Sequence, residues 1–151
     1  MTPGALILLV DDNGEDLAIA LRALRRTNLP VEVRTARDGT EALRALQVDG
    51  GPLDGSAPSE ALHPQVIFLD VKMPRIDGFE VLRALRRSPH TRSIPVVMVS
   101  TSSRADDVKR AYELGANSYL VKRFDVAGQP GEFIAQAARY WVELNFVPQA
   151  G

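Results

Sequence analysis

Cysteine is absent from the 151-residue chain. A disulfide framework, a zinc–thiolate site and a thiol nucleophile are therefore excluded. Histidine occurs only at His63 and His90. Each flanks a proline-containing stretch without metal-ligand spacing, so both read as solvated. No charge sign dominates: 18 Lys and Arg stand against 19 Asp and Glu, a formal net charge of -1. Such a chain has no overall basic field to attract nucleic acid. No apolar run approaches the ~20 residues of a membrane span, so no membrane partner is expected. The start, MTPGALILLVDD, lacks a basic n-region and its apolar run ends in two acids, so no signal peptide is expected. A cytoplasmic protein is expected, a reading that the missing cysteines permit. What is present is an ordinary globular composition, 45% hydrophobic and 25% charged, on a length suited to one domain with one good core.

Five short apolar runs punctuate the chain: ALILLV at 5–10, VEVRT at 31–35, VIFL at 66–69, VVMVS at 96–100 and SYLV at 118–121. The first, third and fourth are nearly continuous Leu, Ile and Val. That pattern suits parallel strands covered on both faces. VEVRT alternates and fits an edge. Helical patterns lie between. Residues 15–26 place Leu17, Leu21 and Leu24 on one face with arginines opposite. Asp38 and Asp77 each open an acid–x–x–Glu helix start, close to a capping box. Ser103 opens a fourth helix, which Gly115 ends as a C′ residue. A last helix is expected over about 131–145. Five strand–helix repeats with short links imply an α/β fold with a parallel sheet covered on both faces. The segment 49–64, DGGPLDGSAPSEALHP, breaks the regularity; it reads as an exposed, mobile loop, either a tolerated insertion or a partner-docking loop.

Ligands of open parallel sheets bind outside the carboxyl ends of the strands. The first strand ends in Asp11-Asp12, the third in Asp70, the fourth in Ser100-Thr101, and the fifth at Lys122. If strands one and three are neighbours, three carboxylates, a hydroxyl and an ammonium converge on one edge. Three close carboxylates cannot all stay ionised without compensation. A hard divalent cation relieves the repulsion, and oxygen donors without His or Cys favour Mg²⁺ over zinc. Each residue also has an ordinary reading alone. Asp12 or Asn13 caps the first helix, Asp70 caps a turn, Ser100 is a strand-end hydroxyl, and Lys122 is solvated. The signal is their joint placement at successive strand ends.

With these motifs the chain resembles a response-regulator receiver domain of bacterial two-component signalling. The carriers are LLVDDN at 8–13, LDVKMPRIDG at 69–78, PVVMVST at 95–101 and GANSYLVK at 115–122, and the resemblance runs from about residue 6 to 144. It implies a flavodoxin-like (βα)5 fold with strand order 2-1-3-4-5, in one receiver domain spanning 1–151, its core about 5–144 and a tail at 145–151. It implies that Asp70 is the phosphoacceptor. Asp11, Asp12, Asp70 and the backbone carbonyl of Lys72 would hold Mg²⁺. Ser100 would be the switch hydroxyl, Lys122 the phosphoryl-pairing lysine and Tyr119 the switch aromatic. The phosphoryl donor would be a phosphohistidine on a sensor histidine kinase. The output would be a population shift of the face made by the fourth helix, fifth strand and fifth helix. Such a domain is a signalling device, not an enzyme in the usual sense; its chemistry acts on its own aspartate.

Two departures stand out. Most members follow the lysine with proline, whereas Arg123 and Phe124 follow here. A cis Lys122–Arg123 peptide would cost about 3–4 kcal/mol, so the loop is expected to differ. Lys72, two residues after the acceptor, would place a cation near the phosphoryl group and alter its loss. No DNA-binding helix-turn-helix or output enzyme is expected after the last helix, and the tail RYWVELNFVPQAG carries Trp141 and Phe146. These aromatics either pack on their own domain or extend a dimer interface. A short regulator with this loop and tail resembles those paired with bacterial phytochromes, which implies a homodimer and a light-sensing kinase partner. Rival functions fit less well. A haloacid-dehalogenase-type hydrolase needs a second Asp where Lys72 stands. A flavin-binding module needs a first loop rich in Gly, Ser and Thr, not Asp-Asp-Asn. A phosphorylation-independent interaction module would not need the intact acid pair, acceptor, hydroxyl and lysine.

Overall fold

The computed structural model describes residues 5–48, 61–122 and 129–146. The expected mobile loop therefore falls outside the described residues over 49–60, as do the chain after Lys122 through 128 and the tail from 147. The elements run β1 (Ala5–Val10), α1 (Gly14–Arg26), β2 (Val31–Ala36), α2 (Gly39–Ala45), β3 (Val66–Asp70), α3 (Gly78–Arg87), β4 (Val96–Ser100), α4 (Ala105–Glu113), β5 (Ser118–Val121) and α5 (Glu132–Arg139). A π-helical turn, Tyr140–Leu144, continues α5. All strand pairs are parallel, in the order β2-β1-β3-β4-β5.

The apolar runs at 5–10, 66–69 and 96–100 are continuous because both sheet faces are covered. Leu8, Val10, Ile67, Leu69, Val96 and Met98 point to one side, where they pack with Ala42 and Leu43 of α2, Phe79, Leu82 and Leu85 of α3, and Ala111 of α4. Ile7, Leu9, Val66, Phe68, Val97 and Val99 point to the other, against Leu17 and Leu24 of α1, Ile134 and Ala138 of α5, and Val142. This alternation is the period-2 geometry of a strand read twice, once per face. β2 is the edge strand that its alternation predicts, with Glu32, Arg34 and Thr35 exposed.

Three helix starts follow their side-chain chemistry. Asn13, not Asp12, caps α1 and accepts from the Glu15 and Asp16 N–H groups at 2.9 and 3.0 Å. Asp38 accepts from Glu41 N–H at 2.7 Å, and Asp77 from Glu80 N–H at 2.9 Å. Glu41 reaches back to the Arg37 N–H at 3.0 Å, one residue beyond the cap Asp38 to which a reciprocal box bond would go. Gly115 ends α4 with φ of 103°, the left-handed C′ conformation.

Three expectations need correction. Ser103 does not open α4. The helix begins after Arg104, and Ser102 does the capping chemistry: its Oγ accepts from Arg104 N–H at 3.2 Å and donates to Asp107 Oδ2 at 2.6 Å. The last helix is not a single α-helix. It widens at Tyr140, where the Asn145 N–H donates to the Tyr140 carbonyl at 2.8 Å, and the Gln65 side-chain amide meets the carbonyls of Trp141 and Val142 at 3.2 and 3.4 Å. His90 is exposed yet not merely solvated: its Nδ1 lies 3.1 Å from Ser88 Oγ and its Nε2 3.0 Å from the Leu46 carbonyl, tying α3 to the end of α2. His63 is exposed, as expected.

Candidate functional site

The register of the sheet assembles the site. Val10 pairs with Leu69, so the next residue, Asp11, lies level with Asp70. Asp70 pairs with Val99, Ser100 follows, and Ser100 pairs with Val121, after which comes Lys122. The carboxyl edges of β1, β3, β4 and β5 thus deliver the strand-end residues to one place. Gly78 permits it. A Cβ there would stand 2.2 Å from the Asp70 carbonyl oxygen, so only glycine lets the start of α3 close against the end of β3.

Carboxylate oxygens of Asp11, Asp12 and Asp70 all lie within 4.8 Å of one another. Asp70 is 6% exposed, while Asp12 faces solvent. The Lys122 ammonium enters from β5 and contacts Asp11 Oδ2 at 2.9 Å and Asp70 Oδ1 at 3.5 Å. A third partner was not foreseen: Asp16, in the first turn of α1, binds the same ammonium at 2.8 Å. In the sequence Asp16 reads as an ordinary first-turn acid, and nothing in its spacing points inward. Arg37 was also missed; its Nη2 donates to the Asp12 carbonyl at 3.2 Å and so braces the acid-pair loop. Asn13 N–H donates to Asp11 Oδ1 at 2.9 Å and orients that carboxylate.

The electrostatics follow from crowding. Burial, then the charge of Asp11, raises the Asp70 pKa from 3.8 to about 7, against the opposing pull of Lys122. Burial lowers the Lys122 pKa, but hydrogen bonds to Asp16 and Asp11 and the charges of Asp70 and Asp11 outweigh it, so the net shift is upward. One lysine thus faces an excess of acids. The donors are hard oxygens without nitrogen or sulfur, close enough to share an ion and short of positive charge. They fit a divalent cation of the oxygen-seeking kind.

Ser100 is buried, and its Oγ accepts from Ser102 N–H at 3.1 Å. Tyr119 is half-buried, and its hydroxyl donates to the Ser102 carbonyl at 2.8 Å. Ser102, which its sequence position does not single out, therefore joins the strand-end hydroxyl, the aromatic and the start of α4. Lys72 is exposed and lines a shallow cavity of about 480 Å³ beside Asp12, with Met73, Phe79, Asp107 and Arg110. The Arg110 guanidinium sits 4.6 Å over the Phe79 ring there.

Fold and site together define a flavodoxin-like α/β domain with an acid cluster and a lysine at the switch edge of its sheet. The chain belongs to the response regulator receiver domain family, whose model matches residues 7–128. It is 32% identical over 148 residues to the response regulator Rcp1 of a Synechocystis species, covering 98% of this chain and 96% of that protein. The Mn²⁺-bound structure of Rcp1 superposes with a TM-score of 0.80 at 32% identity over 96% of this chain and 99% of that one. The phosphorylated cyanobacterial phytochrome response regulator RcpA matches at 33% identity and a TM-score of 0.82, covering 97% of this chain and 99% of that one. The bacteriophytochrome response regulator AtBRR matches at 39% identity and a TM-score of 0.72, covering 99% and 100%. Among the described residues, no helix is long and apolar enough to cross a membrane.

Proposed function

We propose that this receiver domain is a phosphorylation switch in which Asp70 accepts the phosphoryl group of a phosphohistidine on a sensor histidine kinase. The observation that carries the reading is the contact of one lysine with two of three clustered carboxylates at the carboxyl edge of the sheet. Mg²⁺ would be held by Asp11, Asp12, Asp70 and the Lys72 backbone carbonyl, and when bound it supplies charge neutralisation to the phosphoryl oxygens. An Asp70 oxygen attacks phosphorus in line. The phosphorus–nitrogen bond breaks, its electron pair leaves on the imidazole nitrogen, and an aspartyl phosphate forms. Lys122 transfers its pairing from the carboxylates to a phosphoryl oxygen. Ser100 gives up the Ser102 N–H and donates to another. Because the Ser102 carbonyl holds Tyr119 and its hydroxyl holds Asp107, that turn of Ser100 loosens the start of α4 and biases the face of α4, β5 and α5. A phosphoryl group that favours the active state by about 3 kcal/mol shifts its ratio roughly 150-fold. The chemistry modifies the domain itself and turns over no separate substrate beyond its phosphoryl donor.

The similarity to RcpA and AtBRR supports a bacterial phytochrome kinase as the partner. The apolar tail supports a homodimer: Phe146 is 99% exposed, and Leu144 and Tyr140 are exposed as well. Trp141 divides the two roles foreseen for the aromatics, since it packs on its own core and meets Tyr140 edge-on. The elements from 5 to 144 act as one receiver unit in the cytoplasm, without nucleic acid or membrane as partners. The test is transfer of a radiolabelled phosphoryl group from an autophosphorylated bacteriophytochrome kinase. Label that moves to the native chain in Mg²⁺, and neither to Asp70→Asn nor in chelator, supports the reading. Label that moves equally to Asp70→Asn refutes it.

A further inference from the structure

We propose that Asp16 is a positioning residue of this site: it holds the Lys122 ammonium toward α1 and off Asp70, keeping the acid cluster open to a divalent cation. The inference rests on the reading of the acid cluster and Lys122 given above. Three carboxylates share the ammonium, and the shares are unequal. Asp16 stands at 2.8 Å and Asp11 at 2.9 Å, whereas Asp70 stands at 3.5 Å. Asp16 is not one of the three clustered carboxylates, so its charge is free to serve the lysine alone. Its placement is rigid, because Asn13 caps the turn and fixes the Asp16 backbone N–H at 3.0 Å. The Lys122 side chain is only 6% exposed, so an ammonium released by Asp16 has little access to water. It would keep Asp11 and close on Asp70, so that both contacts fall on groups that the cation needs. The cation would then have to displace it from both.

This account separates Asp16 from a mere source of negative charge. Glu15, its exposed neighbour in the same turn, carries the same charge and caps nothing in the site. The experiment is calorimetric titration of Mg²⁺ into the chelator-stripped full chain, as wild type, Asp16→Asn, Glu15→Gln, Lys122→Met and Asp16→Asn/Lys122→Met. Asp16→Asn is expected to weaken Mg²⁺ binding about fivefold, below the ~10–100-fold typical of groups bonded directly to a metal ligand. Glu15→Gln should stay within about twofold of wild type, the scale of an exposed, screened charge. In the Lys122→Met background, Asp16→Asn should cost less than about twofold, because no ammonium remains to misplace. A loss that persists in that background, or equal losses for Asp16→Asn and Glu15→Gln, overturns the inference and leaves long-range charge as the cause. No loss in Asp16→Asn overturns it outright. If Lys122→Met does not fold, the comparison of Asp16 with Glu15 decides alone. A wild type that takes up no Mg²⁺ brings down the metal reading itself, a result distinct from wild-type binding with an indifferent Asp16.

Discussion

At the scale of single residues, the site stores a conflict that pH exposes. The Asp70 carboxyl has a pKa of about 7 in the folded, metal-free chain against 3.8 for the ordinary group. A raised acid holds its proton in the folded state after the unfolded chain has lost it. Its contribution to stability is therefore full below about pH 4, falls as pH rises toward 7, and stays lost above. Asp70→Asn removes the titration while keeping the shape of the protonated acid. In chelator, urea unfolding should show the two proteins nearly equal at about pH 3.5, with Asp70→Asn the more stable by about 2–4 kcal/mol at about pH 8. Parallel curves for the two would contradict this electrostatic account. Gly78 gives a steric prediction. Gly78→Ala puts a methyl 2.2 Å from the Asp70 carbonyl and should destabilise by about 2–4 kcal/mol in the same unfolding measurement. Much of the residue scale was legible beforehand. A charged residue after an apolar run has to emerge at a sheet edge, and Asp11, Asp12, Asp70 and Lys122 did. Asp16, Arg37 and Ser102 were not legible, because each acts across the fold on a partner more than 20 residues away or through its backbone.

At the scale of elements, the joint between β4 and α4 is held by one serine. Ser102→Ala removes the acceptor for Arg104 N–H and the donor to Asp107, so it should cost about 1–2 kcal/mol. Amide hydrogen exchange should quicken selectively in the first turn of α4. Unchanged protection there would mean that Ser102 does not anchor the helix. The sequence placed this start one residue early, at Ser103 and not Arg104, since Ser103 with Asp106 three residues on fits the cap pattern and only the fold decides which hydroxyl meets the helix. The strands were easier to read than the helix ends. VIFL and VVMVS have no polar face, and a segment with none must be covered on both sides. The π turn at Tyr140 had no local signal. It coincides with Gln65 reaching the carbonyls of Trp141 and Val142 from the head of β3, a contact 76 residues distant in the chain.

At the scale of the whole molecule, three of the four exposed large hydrophobics among the described residues, Tyr140, Leu144 and Phe146, fall within seven residues of sequence, the fourth being Tyr112. Leu144 and Phe146 are the most exposed large hydrophobics among the described residues. If they form the dimer contact, sedimentation should show a dimer, and Leu144→Ala/Phe146→Ala should raise its dissociation constant at least about tenfold without lowering the melting temperature, since neither side chain is buried in the protomer. Monomer alone at high protein concentration would contradict the dimer.

The central claim, that Asp70 accepts a phosphoryl group with the help of a divalent cation, is tested most directly by intact mass. The native chain and Asp70→Asn are incubated with acetyl phosphate and Mg²⁺, sampled from short times onward, with parallel samples in chelator. The account predicts one added phosphoryl group on the native chain, dependent on Mg²⁺ and absent from Asp70→Asn. A native chain that gains no mass at any time, or an Asp70→Asn chain that gains the same mass, would contradict it.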